Sequence, residues 1–169
     1  MPDRLPPSRD RASPKRRMLL VTVLVGGVAA IGLAAIVNMN WPMASIAGAN
    51  PDDPEQVAVG RAVYQQNCAS CHGVNLEGQP DWRIRGPGGR LPAPPHDETG
   101  HTWHQPDEQL FKITKSGVAA IVPGYETDMP AYESVLSDEE IWAALSYIKS
   151  TWSTEIRQRQ DRRSQGANQ

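Results

Sequence analysis

Hydrophobic and polar positions divide the chain into one long apolar run and several shorter helical patterns. Residues 18–37 carry no charged side chain. About 20 such residues, at ~1.5 Å of rise each, span the ~30 Å hydrocarbon core of a bilayer. The basic residues that flank the run all precede it, which places the following chain outside the cytoplasm. The pattern predicts a transmembrane anchor at 18–37 behind a basic cytoplasmic tail at 1–17.

A cleaved signal peptide is the alternative interpretation of the same run. The apolar stretch of a signal peptide normally holds about 7–15 residues and ends close to a small-residue cleavage site. Here the run is longer, and the possible cleavage motif Ser45-Ile46-Ala47 lies well beyond its end. We therefore favour a retained anchor followed by a linker at 38–52. Both interpretations export the remainder of the chain.

Capping residues mark three helices in that remainder. Asp53, followed by proline and glutamate, begins a helix that should continue to about residue 69. Pro106, followed by two acidic residues, begins a second helix that Gly117 ends. Ser137 and Glu140 form a capping box for a third helix, which should continue to about residue 153. The sequence thus predicts an all-α domain at 53–153.

The segments between these helices, 73–104 and 118–136, are rich in glycine and proline and have no sustained period. Loops of this length are uncommon in a compact domain unless they wrap or bind something. The last segment, 154–169, is charged and poor in apolar residues. We expect it to be a polar tail, either a frayed helix extension or disordered.

Charge is segregated along the chain, although the formal net charge is only −2. Residues 1–17 carry six basic and two acidic side chains, and residues 155–169 carry four basic and two acidic ones. The segment between them therefore has a net charge of −8. A nucleic-acid-binding protein needs a basic face, so we do not expect nucleic acid as a partner.

The two cysteines of the chain lie in the segment Cys68-Ala-Ser-Cys71-His72. Two thiols three residues apart on one helical turn can each add to a vinyl group of one haem. The next side chain is an imidazole that can reach the iron, and C-x-x-C-H is the attachment pattern of haem c. A thioredoxin-like pair would need a βαβ context, and a zinc site would need two further ligands. We predict one covalent haem c, attached at Cys68 and Cys71, with His72 as an axial iron ligand.

Met129 is the methionine best placed to be the second axial ligand. The other four methionines lie in the predicted tail, span or linker, whereas Met129 precedes a proline in the loop before the last helix. The rivals for this position are three histidines that would give a bis-histidine iron, His96, His101 and His104.

The same three histidines support a second alternative. Together with two acidic neighbours they could bind copper, since imidazole suits that ion. A copper-handling accessory protein is therefore one alternative function. The simpler interpretation is that Trp103 and one histidine hydrogen-bond the haem propionates. Trp82 and the arginines near it are interpreted in the same way, as haem cover and propionate counter-charge.

On these motifs the chain resembles the monohaem class I c-type cytochromes over residues 53–153. Gly60 and Tyr64 stand eight and four residues before Cys68, as a glycine and an aromatic residue do in that family. Tyr147 corresponds to the aromatic residue at the crossing of the last helix with the first, and Met129 with its proline resembles the axial-methionine loop. The resemblance implies the small cytochrome c fold, with three main helices around one haem, and a role in electron transfer.

The chain departs from the family in one place. The family has a Gly-Pro-x-Leu-like turn soon after the histidine, and the carbonyl of its proline supports the ligand imidazole. Here Gly86-Pro87 and the proline-rich segment 92–95 could both supply that turn. Of these prolines, Pro94 is our choice for the carbonyl that supports His72.

A haem closed by His72 and Met129 has no open coordination site, so we expect an electron carrier and not an enzyme. Methionine ligation raises the reduction potential, which suits exchange with a membrane-bound oxidase or quinol-oxidising complex. We expect the haem domain at the periplasmic, outer face of the inner membrane. A haem enzyme or gas sensor stays an alternative if Met129 can be displaced.

Overall fold

The computed structural model describes residues 48–167, which belong to one compact unit of the chain. Within this range the chain forms helices and loops and contains no strand. No helix among the described residues is long and apolar enough to cross a bilayer. The predicted anchor at 18–37 and the predicted cytoplasmic tail lie outside the described residues.

Five α-helices and two short 3₁₀ turns make up this unit. The helices are α1 (Pro54–Asn67), α2 (Ala69–His72), α3 (Asp107–Ser116), α4 (Asp138–Ser150) and α5 (Thr154–Ala167). The 3₁₀ turns are Thr102–His104, between α2 and α3, and Val118–Ala120, directly after α3. The helical fold expected from the sequence is confirmed.

Three of the predicted cap signals are present, at the start of α1, the end of α3 and the start of α4. The Asp53 carboxylate accepts hydrogen bonds from two backbone amides of the first turn of α1. Ser137 and Glu140 exchange hydrogen bonds at the start of α4, at 3.2 and 2.8 Å. Gly117 ends α3 with a φ of 83°, a conformation that glycine adopts readily. Because these signals are local, they could be recognised without tertiary information.

Helices α1 and α4 cross in direct backbone contact. A Cβ atom at Gly60 would overlap the backbone carbonyl of Ala143, so only glycine allows the two helices to approach this closely. The sequence had placed Tyr147 at this crossing. That expectation is wrong by one helical turn, because the Tyr147 ring packs instead on Tyr64, 5.4 Å away. The closest contact at the crossing is thus with the backbone of Ala143, and the aromatic residue packs one turn later on α4.

The core lies between α1, α3 and α4. Phe111 of α3 stacks on Trp142 of α4, with ring centroids 4.3 Å apart. Phe111 packs against the buried cluster to which Trp142 belongs, together with Val63, Leu110, Leu136, Ile141, Ala144 and Leu145. This core therefore holds together the three helices that position the loops.

The segment 154–167 forms the helix α5. The sequence alone did not decide between a frayed helix extension and disorder for this segment. Gln160 is fully buried, and its amide donates to Gln105 O at 3.2 Å and to the Asp107 carboxylate. Lys149 of α4 is also buried and donates to both Asp107 oxygens at 2.8 and 3.0 Å. Because polar groups supply these contacts, hydrophobic periodicity could not reveal that α5 packs on the domain.

Candidate functional site

The helix is interrupted between α1 and α2, and the two cysteines lie at or just after this interruption. Cys68 caps α1 and precedes α2, and its carbonyl accepts from the His72 amide at 2.9 Å. Both thiols are free, Cys68 partly buried and Cys71 exposed. Burial raises the pKa of the Cys68 thiol to about 11, so it is protonated at neutral pH. The structure thus brings Cys68, Cys71 and His72 together on one turn, as the sequence suggests.

His72 is buried and has a single defined tautomer. Its Nδ1 lies 2.8 Å from the carbonyl oxygen of Pro94. A carbonyl can only accept, so Nδ1 carries the proton and Nε2 keeps a lone pair. Burial lowers the pKa of His72 and so favours the neutral ring. Such an imidazole is ready to ligate a metal, and Pro94 is the proline that supports it.

Two glycines fix the position of the Pro94 carbonyl. A Cβ at Gly78 would overlap the backbone of Pro94 and Pro95, and a Cβ at Gly100 would overlap the Pro95 carbonyl. The Gly78 amide also donates to His72 O at 2.8 Å, which ties this part of the 73–104 loop to the end of α2. Sequence reasoning did not find these glycines, because nothing local distinguishes them from the other glycines of the 73–104 loop.

Two tyrosines surround the cysteine turn. Tyr64 is fully buried and donates to the carbonyl of Gly73, directly after His72, at 2.8 Å. Tyr132 donates to the carbonyl of Asn67, directly before Cys68, at 2.7 Å. Burial and the nearby Cys68 and Cys71 thiols raise the pKa of Tyr132. Tyr132 therefore places its loop beside the cysteines.

Met129 lies three residues before Tyr132 in the same loop and is partly buried. Its amide donates to Thr127 Oγ1 at 3.1 Å. The adjacent Asp128 forms an ion pair with Arg90, which belongs to the long loop after His72. The loop that carries Met129 is thus attached to the end of α1 on one side and to the 73–104 loop on the other. These attachments hold the loop that carries Met129 beside the cysteine turn.

The three rival histidines take three separate environments. The His96 ring stacks on His72 with centroids 4.0 Å apart, and burial together with His72 and His101 lowers the pKa of His96 well below its ordinary value. His101 packs on Trp82, with centroids 5.4 Å apart, and His104 packs on Trp103 at 3.8 Å. Across residues 48–167, no three His, Cys, Asp or Glu side chains gather as a metal site. The structure therefore does not support the copper alternative.

Stacking also argues against His96 as the sixth iron ligand. Two axial ligands face each other across the iron, whereas stacked rings lie side by side. The His96 ring lies 4.0 Å from the His72 ring in a nearly parallel plane. In this position His96 cannot bind the iron on the face opposite His72. This geometry removes His96 from the rivals of Met129.

The aromatic and basic residues near Trp82 form contacts within the protein. The Arg83 guanidinium lies 3.9 Å from the Trp82 ring centroid, and Arg85 donates to the Gly89 carbonyl at 2.5 Å. Arg90 pairs with Asp128. The contacts of Arg90 thus link two loops, and the role of these arginines as propionate counter-charge stays a prediction.

The donor set fits a covalent haem. Two free thiols three residues apart, a neutral imidazole with a free Nε2 and a thioether in the adjoining loop are the groups that haem c requires. Among residues 48–167, no hydrogen bond engages His72 Nε2, and neither cysteine forms a disulfide. The site thus agrees with the cofactor that the sequence predicts.

Comparison with known proteins gives the same result. The family model for cytochrome c matches residues 57–152. The cytochrome bc1 complex cytochrome c subunit of Mycobacterium leprae is 38% identical over 64 residues, which is 38% of this chain and 20% of that protein. The subunit of the same name from Corynebacterium diphtheriae is 34% identical over 77 residues, 46% of this chain and 26% of that protein. No solved structure matches the chain.

These relatives are much longer than the matched region, which amounts to 20–26% of their length. The family model, in contrast, covers more than half of this chain. The chain belongs to the cytochrome c family, the electron-transfer proteins that hold haem c covalently.

Proposed function

We propose that this protein is a one-electron carrier of a membrane respiratory or related redox chain, with a haem c that His72 and Met129 ligate. The observation that carries the proposal is the geometry of the Cys68–His72 turn. It presents two thiols and a neutral imidazole whose Nδ1 donates to Pro94 O at 2.8 Å. A redox carrier needs this fixed environment because electron transfer is fastest when the ligands do not rearrange.

Each residue has a defined task in this proposal. Haem c, when bound, supplies the one-electron couple. Cys68 and Cys71 tether it, and His72 ligates through Nε2 while the Pro94 carbonyl makes the imidazole a stronger donor. Met129 closes the opposite face, which excludes small exogenous ligands and raises the reduction potential. Electron transfer, and not chemistry on a bound substrate, is what such a closed site supports.

The proposed partner is a membrane-bound redox complex, either a quinol-oxidising complex or an oxidase. The similar proteins are named as cytochrome c subunits of the cytochrome bc1 complex, which supports a partner of the first kind. The strongly acidic centre of the chain, with a net charge of −8 over residues 18–154, suits a basic docking face on that partner. Complementary charge of this kind acts mainly on the rate of encounter.

Haem attachment can be tested by removing both thiols. Purified wild-type protein, denatured and analysed by mass spectrometry, should carry one haem, and a Cys68→Ala/Cys71→Ala variant should carry none, because no thioether can form. Ser70→Ala is the matched control, since it changes the same turn and leaves both thiols. Covalent haem on the double variant would exclude the proposed attachment.

The proposal also places the protein at the membrane. We infer that residues 18–37 stay as an anchor and that the haem domain lies on the periplasmic, outer side. After carbonate washing, the full-length protein should remain in the membrane fraction, because the apolar run holds it there. A variant whose residues 1–37 are replaced by a cleavable signal should appear in the soluble fraction. Recovery of the unaltered protein as a soluble form that starts near Gly48 would show that the run is a signal peptide.

A further inference from the structure

His96 makes an unusual contact with the ring that is proposed to ligate the iron. The two imidazoles stack with centroids 4.0 Å apart and planes 23° apart. The Tyr64 ring meets His96 edge-on at 6.3 Å. His96 follows Pro94 by two residues, so one short segment supplies both the carbonyl at the edge of His72 and a flat ring on its face.

The His96 ring is itself held in place. Its Nδ1 lies 2.7 Å from Thr102 Oγ1, and Thr102 is buried. The His96 amide donates to Leu76 O at 2.8 Å, and the His96 carbonyl accepts from the Trp152 indole at 2.8 Å. Side chain and backbone are both fixed, so the ring acts as a rigid surface against His72.

The two contacts restrict His72 in different ways. The hydrogen bond to Pro94 fixes the position of one edge atom, Nδ1, but still allows the plane of the ring to tilt about that atom. A flat ring against the face of His72 removes this remaining freedom. Ligands are held precisely only when partners of this kind lock their orientation.

We propose that His96 is a positioning residue that sets the plane of the His72 imidazole through its stacking contact. This inference rests on the proposed function, in which His72 ligates the haem iron. The plane of an axial imidazole decides which iron d orbitals its π system overlaps. A fixed plane therefore gives the ferric protein one defined set of EPR g values and one pattern of paramagnetic NMR shifts for the haem methyl groups.

The test compares three variants of the holoprotein. His96→Leu removes the flat ring and should shift the g values and rearrange the haem methyl pattern. His96→Phe keeps a flat ring without the Thr102 hydrogen bond and should restore most of the wild-type pattern. Val135→Ala is the control, because Val135 is exposed and is not one of the rival iron ligands, and it should leave the spectrum unchanged.

The optical spectrum separates this proposal from the proposed function. Covalent haem, a low-spin spectrum and the methionine–iron charge-transfer band in the variants would show that both axial ligands remain. Wild-type g values and methyl shifts in His96→Leu would overturn the positioning role. If His96→Leu does not fold, His96→Phe decides alone, since a pattern unlike wild type would show that the ring face does not set the plane.

Discussion

A Met129→Ala variant should open the sixth coordination position of the haem. The ferrous protein should then bind carbon monoxide, which the wild type should exclude because the thioether occupies that position. The potential should fall by on the order of 100 mV, since the methionine that raises it is gone and axial ligands tune haem potentials over about 0.8 V. Optical spectra with and without carbon monoxide, together with a redox titration, measure both effects.

Val135→Ala is the control for this experiment, because Val135 lies in the same loop region with its side chain 61% exposed. It should retain the wild-type spectrum and potential. A Met129→Ala protein that keeps the low-spin spectrum of the wild type would show that a different residue ligates the iron. His101 and His104 would then be the residues to replace next, since the stacking of His96 on His72 excludes His96.

A Gly60→Ala variant should destabilise the domain by about 3 kcal/mol or more. Overpacked cores usually lose about 1–3 kcal/mol, and here the added methyl group meets a backbone carbonyl that cannot rotate away. The gain of up to about 1 kcal/mol in helix propensity from glycine to alanine is smaller than this loss. The variant should therefore unfold at a clearly lower denaturant concentration than the wild type. A denaturant titration of the holoprotein, monitored by tryptophan fluorescence, measures this difference.

Gly166→Ala is the matched control, since Gly166 lies in α5 and a Cβ there meets nothing within 4 Å. This substitution should leave the stability unchanged or raise it slightly, because the only expected effect is the higher helix propensity of alanine. A Gly60→Ala midpoint within error of the wild type would contradict the close crossing of α1 and α4.

Local signals allowed most of the domain to be predicted. Asp53, Gly117 and Ser137 mark helix ends because a cap depends on a few neighbouring residues. The haem-attachment turn could be recognised for the same reason, since its three functional side chains lie within five residues. Pro94 could be proposed only by resemblance, because its contact with His72 spans 22 residues.

The features that were missed depend on distant partners. Helix α5 packs through the buried Lys149 and Gln160, which both contact the partly buried Asp107, and a polar network leaves no apolar period to detect. His96 looked like one of three equivalent histidines, because nothing in its neighbourhood shows that its ring lies against His72. The position of the helix crossing was wrong by one turn because the identity of the closest residue depends on the exact angle between α1 and α4.

The pairing of the first and last core helices sets the order in which the domain can assemble. The start of the domain bonds to α4 through Asn50 and Ser146, 96 residues apart, and the cysteines lie between these ends. Contacts between residues this far apart form slowly. The entropic cost of closing the loop, in contrast, rises by only about 0.6 kcal/mol for each doubling of its length. If the chain is exported N-terminus first, as proposed, Cys68 and Cys71 reach the outer compartment before α4 arrives to complete the core. In the proposed order, haem attachment at the two thiols can therefore precede closure of the core.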